Sequence, residues 1–250
     1  MEKSTHTSDD NLLGNTVHLR QFVSGHRVGT DAVLLAASTP KQGSLVDAGA
    51  SSGAVGLMAS RSNPNRKLYF IEKEADLADL CRQNISLNGR SHAHVVCASL
   101  FDPSNLSEHG IQMHSAHVVA TNPPFMDPQT GIVSPDTKKA AAHVLSDGTL
   151  HDWLQACAQL VAPKGFLCII HKAERIGDIL QALHPRFGGI RLRSVHVNLQ
   201  KPANRVVVRG IKGSKTPLRI DAPLILYDHE GKYTPEAYAL HNGQQEDLFQ

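Results

Sequence analysis

Short apolar runs alternate along the chain with longer segments in which apolar residues recur at helical spacing. Runs typical of buried strands lie at residues 44–49, 67–72, 93–98, 116–121 and 165–171. Segments typical of helices lie at 53–61, 74–89, 149–163 and 174–189. Strands that alternate with helices predict a parallel sheet covered by helices on both faces.

The last two strand-like runs, residues 190–199 and 204–211, follow each other without a clear helix between them, which predicts an antiparallel pair. The predicted fold is therefore α/β: a Rossmann-like, doubly wound, mixed seven-stranded sheet with a C-terminal antiparallel strand pair. We predict a single domain over 1–250, made of an entry segment (1–40), a core (41–212) and a C-terminal extension (213–250).

The segment at 74–89 has a clear amphipathic pattern. Its core-facing residues are predicted to be Leu77, Leu80, Ile85 and Leu87. Gly89 is predicted to end this helix, because glycine readily adopts the left-handed conformation that helix ends often need.

The composition suits a soluble globular protein, with 41% hydrophobic and 19% charged residues and a net charge of +2. The polar, acidic start is not typical of a signal peptide, and no apolar run reaches the roughly 20 residues that cross a bilayer. The four cysteines stand singly, without a CxxC or Cys/His cluster. We therefore expect a reduced, cytoplasmic protein with no membrane partner and no metal.

A glycine turn and a later acid suggest a nucleoside site. Asp47, Gly49 and Gly53 follow the first buried strand with the spacing D-x-G-x-x-x-G, and Glu72 ends the next strand. In doubly wound sheets, ligands bind at the carboxyl ends of strands, where a carboxylate can accept both ribose hydroxyls. NAD is the obvious competitor, but the turn lacks a clean G-x-G-x-x-G. A ligand with a ribose and no pyrophosphate fits better.

The stretch "ATNPPFMD" follows the fourth buried run and contains Asn122, Pro123, Pro124 and Phe125. Each proline fixes its own φ and pushes the residue before it into an extended conformation. The stretch is therefore predicted to hold an amide oxygen, a backbone carbonyl and an aromatic ring in fixed positions. A rigid turn with Phe125 in the core is the structural alternative.

Together these motifs resemble those of class I methyltransferases that use S-adenosylmethionine, and N-P-P-F resembles the signature of exocyclic-amine N-methyltransferases. The segments "HRVGTDAVLLAAS", "PANRVVVRGIKGSKTPLRI" and "GKYTPEAYAL" are similar to parts of the bacterial tRNA(Val) adenine-N6 methyltransferase family, which modifies the adenine just 3′ of the anticodon. The resemblance extends roughly from Leu12 to Gly243.

The resemblance implies a role for each motif. Asn122, Pro123, Pro124 and Phe125 would be catalytic, with Asn122 Oδ1 and the Pro123 carbonyl accepting the two amine N–H bonds and Phe125 stacking on the base. The implied S-adenosylmethionine site comprises Arg27, Thr30, Asp47, Gly49, Gly53, Glu72, Ser99 and Asn122.

The chain departs from the family pattern at two positions. Ser51 stands where glycine is usual, and Ser99 stands where an aspartate is common after the third strand. Asp102 is a candidate replacement for that aspartate.

The charge distribution suggests a surface for RNA. Nine Lys or Arg and no Asp or Glu lie between Arg186 and Ile220, which predicts a phosphate-facing surface or, alternatively, a solvated face of strands. A long non-periodic stretch at 126–143 is a candidate substrate loop. The predicted nucleic-acid-binding residues are Lys138, Lys139, Arg191, Arg193, Lys201, Arg205 and Arg209.

Three functions remain open at this point. The first is an RNA adenine-N6 methyltransferase acting on tRNA. The second keeps the chemistry but acts on a protein glutamine or on rRNA guanine N2, although there is little length for the extra domains that those enzymes usually carry. The third is a degenerate fold that binds RNA without turnover, for which Ser51 and Ser99 are the motive.

Overall fold

The computed structural model describes residues 6–24, 27–124 and 148–249. The described strands are β1 (Thr7–Leu12), β2 (Val17–Phe22), β3 (Leu45–Ala48), β4 (Leu68–Glu72), β5 (Ala93–Cys97), β6 (Ala116–Thr121), β7 (Val161–Lys172), β8 (Phe187–His196), β9 (Ala203–Lys212), β10 (Arg219–Ile220) and β11 (Leu224–Ile225). The described helices are α1 (Thr30–Ser38), α2 (Ala54–Ala59), α3 (Ala75–Leu87), α4 (Pro103–Glu108), α5 (Leu150–Leu160), α6 (Ile176–Leu183) and α7 (Pro235–His241), with a 3₁₀ turn at Ala173–Arg175.

The main sheet has the order β10-β8-β9-β7-β6-β3-β4-β5, and β11 also pairs with β8. Strand β9 is antiparallel to both β7 and β8, whereas the neighbours from β7 to β5 are parallel. The mixed α/β sheet with a late antiparallel pair is therefore confirmed. Its described part has nine strands rather than the predicted seven, because two-residue strands β10 and β11 extend its edge and are too short to leave a sequence pattern.

Helices cover both faces of the sheet. On one face, Leu34 of α1 and Leu57 of α2 are fully buried against strand residues. On the other face, Leu154 of α5 and Ile179 of α6 are likewise buried against strand residues. This two-sided burial explains why the central strands read as continuous apolar runs rather than alternating ones.

A two-stranded antiparallel hairpin, β1–β2, precedes the main sheet and was not predicted. Asn84 of α3 and Asn88, which follows this helix as its C-cap, attach the hairpin. Asn84 accepts the Arg20 N–H at 2.7 Å and donates to the Arg20 carbonyl at 2.9 Å, and Asn88 does the same for His18 at 3.0 and 2.6 Å. Four residues of helix rise about 6 Å and two residues of strand about 6.8 Å, so the spacings match.

The predicted face of α3 is only partly correct: Leu80 is buried and Ile85 packs against the core, as predicted. The buried residues of this helix are Ala78, Leu80, Cys81 and Asn84, whereas Leu87 is exposed and Leu77 half-buried. The polar Asn84 is buried because the hairpin backbone satisfies its amide, a partner that hydrophobic periodicity does not include. Gly89 has a φ of +61°, which confirms its role at the helix end.

Candidate active site

The turn between β3 and α2 requires left-handed backbone at three positions. The φ angles are +76° at Gly49, +50° at Ser51 and +82° at Gly53. The backbone N–H groups of Gly49 and Ala50 both donate to the carbonyl of Ile71 at 3.0 Å, which ties the turn to the end of β4. Ser51 thus retains the backbone shape that favours glycine, at the cost of strain from its Cβ.

Glu72 ends β4 and reaches across this turn. Its Oε2 accepts the Ser51 N–H at 2.7 Å, and its Oε1 accepts the Glu74 N–H at 2.9 Å. Burial raises the pKa of this carboxyl, and the two backbone donors oppose that shift. Each oxygen can accept a further hydrogen bond, so the group can still serve a pair of ligand hydroxyls.

Asp47 lies below the turn and has an exposed fraction of 2%. Its Oδ2 accepts the backbone N–H of Gly56, the third residue of α2, at 2.9 Å. Burial raises the pKa of Asp47 to about 7, with the Gly56 bond opposing and the nearby Glu72 charge adding to the shift. The geometry favours orientation of α2, which makes Asp47 a support for the turn.

Asn122 and Pro123 follow β6 at the same edge of the sheet. The hydroxyl of Thr121, the last residue of β6, donates to the carbonyl of Ala48 at 2.9 Å and so ties β6 to the start of the glycine turn. The Oδ1 of Asn122 is buried and has no hydrogen-bond partner among the residues that the structure describes. Pro123 is buried and Pro124 is exposed. Phe125 lies outside the described residues.

Trp153 on α5 completes this edge and was not among the predicted site residues. Its Nε1 donates to Thr121 Oγ1 at 2.8 Å, and Phe101 packs edge-on to it with ring centroids 6.0 Å apart. A Cβ added at Gly49 would lie 2.9 Å from Trp153 Cζ2, so the ring also explains why glycine is needed there. The only sequence signal is that it is the single tryptophan of the chain.

Ser99 and Asp102 follow β5. Ser99 Oγ accepts the Phe101 N–H at 3.2 Å. Asp102 accepts the Asn105 N–H at 3.1 Å and caps α4. The carboxylate of Asp102 is thus used at a helix end, which argues against its predicted role as a replacement for the aspartate of the family pattern.

Thr30 and Arg27 are two of the residues predicted to contact the cofactor. The Nδ1 of His241 lies 2.7 Å from the Ala237 carbonyl and so carries the hydrogen, which leaves Nε2 to accept the Thr30 hydroxyl at 3.1 Å. Burial lowers the pKa of His241, which favours this neutral form. Arg27 instead pairs with Asp10 of the β1–β2 hairpin at 2.6 Å.

Three of the predicted RNA-contacting arginines lie under the C-terminal extension. Arg193 is 8% exposed and donates to the carbonyls of Ala222 and Leu248 and to Glu236. Arg191 forms a two-point ion pair with Asp221, at 2.9 and 2.7 Å.

The third, Arg209, contacts Asp247 at 3.5 Å and lies over the Phe249 ring, 4.7 Å from its centroid. For Arg191, Arg193 and Arg209 these contacts favour a structural role.

The other predicted RNA contacts have different surroundings. Arg205 pairs with Asp31 of α1 at 2.9 Å, with both side chains about a quarter exposed. Lys201 is exposed in the connection between β8 and β9. Lys138, Lys139 and the candidate substrate loop at 126–143 lie outside the described residues.

The sequence predicts neither a metal site nor a membrane partner, and only the described residues can be compared with these two predictions. No group of three or more His, Cys, Asp or Glu side chains within 6–24, 27–124 and 148–249 is arranged to hold a metal ion. None of the helices in that part of the chain is both long and apolar enough to cross a bilayer.

The model of the methyltransferase small domain family matches residues 22–173, which is more than half of the chain. The protein therefore belongs to this family of methyltransferases. Its methyl donor is S-adenosylmethionine, as the resemblance implied.

The relatives agree with the resemblance seen in the motifs. A protein of Erwinia tasmaniensis named tRNA1(Val) (adenine(37)-N6)-methyltransferase is 29% identical over 208 residues, covering 79% of this chain and 82% of its own length. A protein of the same name from Porphyromonas gingivalis is 27% identical over 220 residues, covering 84% and 85%.

Solved structures share the fold. A structure described as a predicted O-methyltransferase from Agrobacterium tumefaciens has a TM-score of 0.70 at 24% identity, covering 87% of this chain and 98% of its own. The 16S rRNA guanine-N2 methyltransferase of Thermus thermophilus, in complex with AdoMet and guanosine, has a TM-score of 0.57 at 16% identity, covering 83% and 50%. At these identities the likeness concerns the fold alone.

Proposed function

We propose that this methyltransferase acts on the N6 amine of an adenine in tRNA, near the anticodon. The observation that carries the proposal is the buried Oδ1 of Asn122, which accepts no hydrogen bond from residues 6–24, 27–124 or 148–249. A buried acceptor without a donor costs roughly 1–3 kcal/mol, so its retention calls for an N–H group that arrives with the substrate. The names of the relatives supply the substrate class.

An exocyclic amine is a poor nucleophile because its lone pair is delocalised into the ring. Acceptors aimed at its two N–H bonds favour a more tetrahedral nitrogen, and in this proposal Asn122 Oδ1 and the Pro123 carbonyl are those acceptors. The prolines hold them in place, so little reorganisation is needed in the transition state. Bound S-adenosylmethionine supplies the methyl group. The proton leaves readily after alkylation, so no strong base is required.

The remaining residues would hold the donor and the base. Glu72 would accept the ribose hydroxyls, since both its oxygens retain acceptor capacity beside the glycine turn. Asp47 would support that turn from below through Gly56. Thr30, Arg27 and Ser99 stay predicted donor contacts. Phe125 stays the predicted stacking partner, and Lys138 and Lys139 stay predicted RNA contacts.

The proposal also treats residues 1–40, 41–212 and 213–250 as parts of one domain in the cytoplasm, with RNA as the macromolecular partner. Its support is that the extension packs into the core. Leu248 and Phe249 are buried, and the Leu248 N–H donates to the carbonyl of Ala37 in α1 at 2.9 Å.

The test is methylation of unmodified tRNA transcripts with labelled S-adenosylmethionine, followed by mass spectrometry of RNase fragments for the position and of nucleosides for the base. We expect N6-methyladenosine at one position beside the anticodon. N2-methylguanosine would redirect the proposal to guanine, and methylation of a glutamine-containing protein alone would remove RNA as the substrate. Binding of S-adenosylmethionine without methylation of RNA or protein would support the third function, a degenerate fold that binds RNA without turnover.

The Asn122→Ala variant tests the acceptor. We expect kcat to fall about 100-fold or more, as for loss of one preorganised transition-state hydrogen bond, with an unchanged Kd for S-adenosylmethionine. Asn122→Asp keeps an acceptor oxygen and should retain part of the rate. Glu72→Gln is the contrasting variant, since we expect its main effect to be a higher Kd for S-adenosylmethionine rather than a lower kcat. An unchanged kcat in Asn122→Ala would refute the acceptor role.

A further inference from the structure

The connection between β8 and β9, residues 197–202, is a tight and well-braced turn that we call the hairpin tip. The Lys201 N–H donates to the Asn198 carbonyl at 3.3 Å, and the Asn198 side chain accepts the Gln200 N–H at 3.1 Å. The Nδ1 of His196 lies 2.9 Å from the Lys201 carbonyl. These bonds place Leu199 and Gln200 at the two central positions of the turn.

Leu199 is unusual for such a position. Its side chain has an exposed fraction of 83%, the highest among the exposed large apolar residues that the structure describes. Tight turns favour Gly, Pro, Asn, Asp and Ser at their centres, because these residues fit the backbone and bind water. A leucine fixed at the apex gains little from burial against the described residues, so its side chain is available to a partner.

The strand register places the hairpin tip at the same edge of the sheet as Asn122. Thr121 pairs with Ile169, so Asn122 lies level with Ile170, whose partner on β9 is Val207. Ala203 begins β9 four residues before Val207, which is about 13 Å at 3.3 Å per residue. The tip therefore projects beyond the level of Asn122, about 10 Å to its side across two strand spacings.

Two contacts brace this projection. The Arg205 guanidinium pairs with Asp31 at the start of α1. On the other side the Tyr227 N–H donates to the Val197 carbonyl at 2.9 Å. The tip thus has a fixed position, and a partner that contacts it would pay little ordering entropy on the protein side.

We infer that the hairpin tip contacts the substrate RNA, with Leu199 packed on the flat face of an unpaired base that flanks the target, and Lys201 on a phosphate. The inference rests on the proposed function. An RNA loop offers what this surface fits: splayed bases with apolar faces, next to a backbone of phosphates. The tip itself, residues 197–202, carries a lysine and no acid.

The test uses Leu199→Ser with an unmodified anticodon stem-loop RNA. We expect KM for the RNA to rise about tenfold, as for loss of one base contact, with kcat and the Kd for S-adenosylmethionine unchanged. Leu199→Met keeps the apolar surface and should retain the wild-type KM. Leu87→Ser is the matched control, since Leu87 is 44% exposed at the end of α3, near the start of β5 rather than the ends of the strands.

The Lys201→Gln variant tests the phosphate contact separately. Removal of one phosphate contact should lower the slope of log Kd against log salt by about one. An unchanged slope together with an unchanged KM in Leu199→Ser would overturn the inference and leave the tip to another partner.

Direct binding of the same RNA, followed by fluorescence anisotropy, separates this inference from the proposed function. If the wild type binds the stem-loop without methylating it, the proposed function fails, and the affinity of Leu199→Ser still decides the role of the tip. If the wild type methylates the RNA and Leu199→Ser binds it equally well, the tip inference alone is wrong. If the wild type does not bind the RNA, both are wrong.

Discussion

The edge formed by the ends of β3, β4 and β6 differs from the arginine cluster under the C-terminal extension in how its polar groups are satisfied. At the edge, the buried Asn122 Oδ1 accepts no hydrogen bond from any described residue, and Glu72 retains acceptor capacity. In the cluster, Arg193 has its Nε and both terminal nitrogens engaged within the chain. A polar side chain suits a ligand when the fold leaves it unsatisfied, and residue type alone does not reveal this.

The arginine cluster also shows how charge segregated along the chain is balanced in three dimensions. The stretch from Arg186 to Ile220 contains no acid, but the segment after it supplies Asp221, Glu236 and Asp247 to the arginines of β8 and β9. A basic run can therefore mark where an acidic segment of the same chain packs, as well as where phosphates bind.

The largest effect is expected for Arg193→Met, which tests whether the cluster is structural. Removing this guanidinium leaves the Glu236 carboxylate and two carbonyls without their donor, so we expect the free energy of unfolding to fall by about 3–5 kcal/mol. Urea unfolding measures this. The Kd for RNA, measured at a temperature where the variant is folded, should not change. Exposed Lys215→Met is the control, and weaker RNA binding by Arg193→Met at unchanged stability would return the cluster to the RNA surface.

The second effect concerns Asp47, at the edge formed by the ends of β3, β4 and β6. We expect this residue to make the stability of the protein depend on pH. Its pKa in the folded protein is raised from 3.8 to about 7, so the folded state keeps a proton that the unfolded chain releases over that interval. Its contribution to stability is therefore complete below about pH 4 and falls by about 1.4 kcal/mol per pH unit up to about pH 7. Asp47→Asn should remove this fall.

Unfolding of the wild type and Asp47→Asn should be followed from pH 5 to pH 8. The difference in unfolding free energy should move in favour of the variant as the pH rises to 7 and then level off. A difference that stays constant over the whole range would show that the Asp47 carboxyl is not the group responsible.

The smallest effect is expected for Ser51→Gly. The serine adopts a φ of +50°, and glycine removes the strain of its Cβ while it raises the entropy of the unfolded chain, so we expect a net gain of about 0.5–1 kcal/mol. Gly49→Ala in the same turn should instead destabilise, because its Cβ would approach Trp153 to 2.9 Å. Thermal unfolding compares the two variants, and a loss of stability in Ser51→Gly would mean that its side chain makes a needed contact.

The central strands and their order of helices could be read from the sequence because burial on both faces leaves continuous apolar runs. Strand β6 begins and ends at the predicted residues, and β3, β4 and β5 differ from prediction only at their ends. The β1–β2 hairpin could not be found this way. Its first strand, TSDDNL, is poor in the branched and aromatic residues typical of strands and gains its pairing from β2.

The geometry of the candidate site was predictable at the turn that brings Asp47, Gly49 and Gly53 together with Glu72, because this turn needs glycine at fixed positions. The role of these residues in donor binding stays a prediction. Trp153 escaped prediction because its contacts with Thr121 and Gly49 join parts of the chain that are distant in sequence. For Arg191, Arg193 and Arg209 the missing information was equally distant, since their acidic partners come from the extension. Their role in RNA binding stays a prediction without geometric support.

Asn84 of α3 and Asn88 just after it, which hold β2, also affect how readily the protein associates with itself at high concentration. An open strand edge displays a row of unpaired N–H and C=O groups, and such rows template pairing between molecules. Asn84 and Asn88 present amide groups that imitate a neighbouring strand at His18 and Arg20. The helix end thereby covers the edge of β2, so we expect pairing between molecules along that edge to be disfavoured.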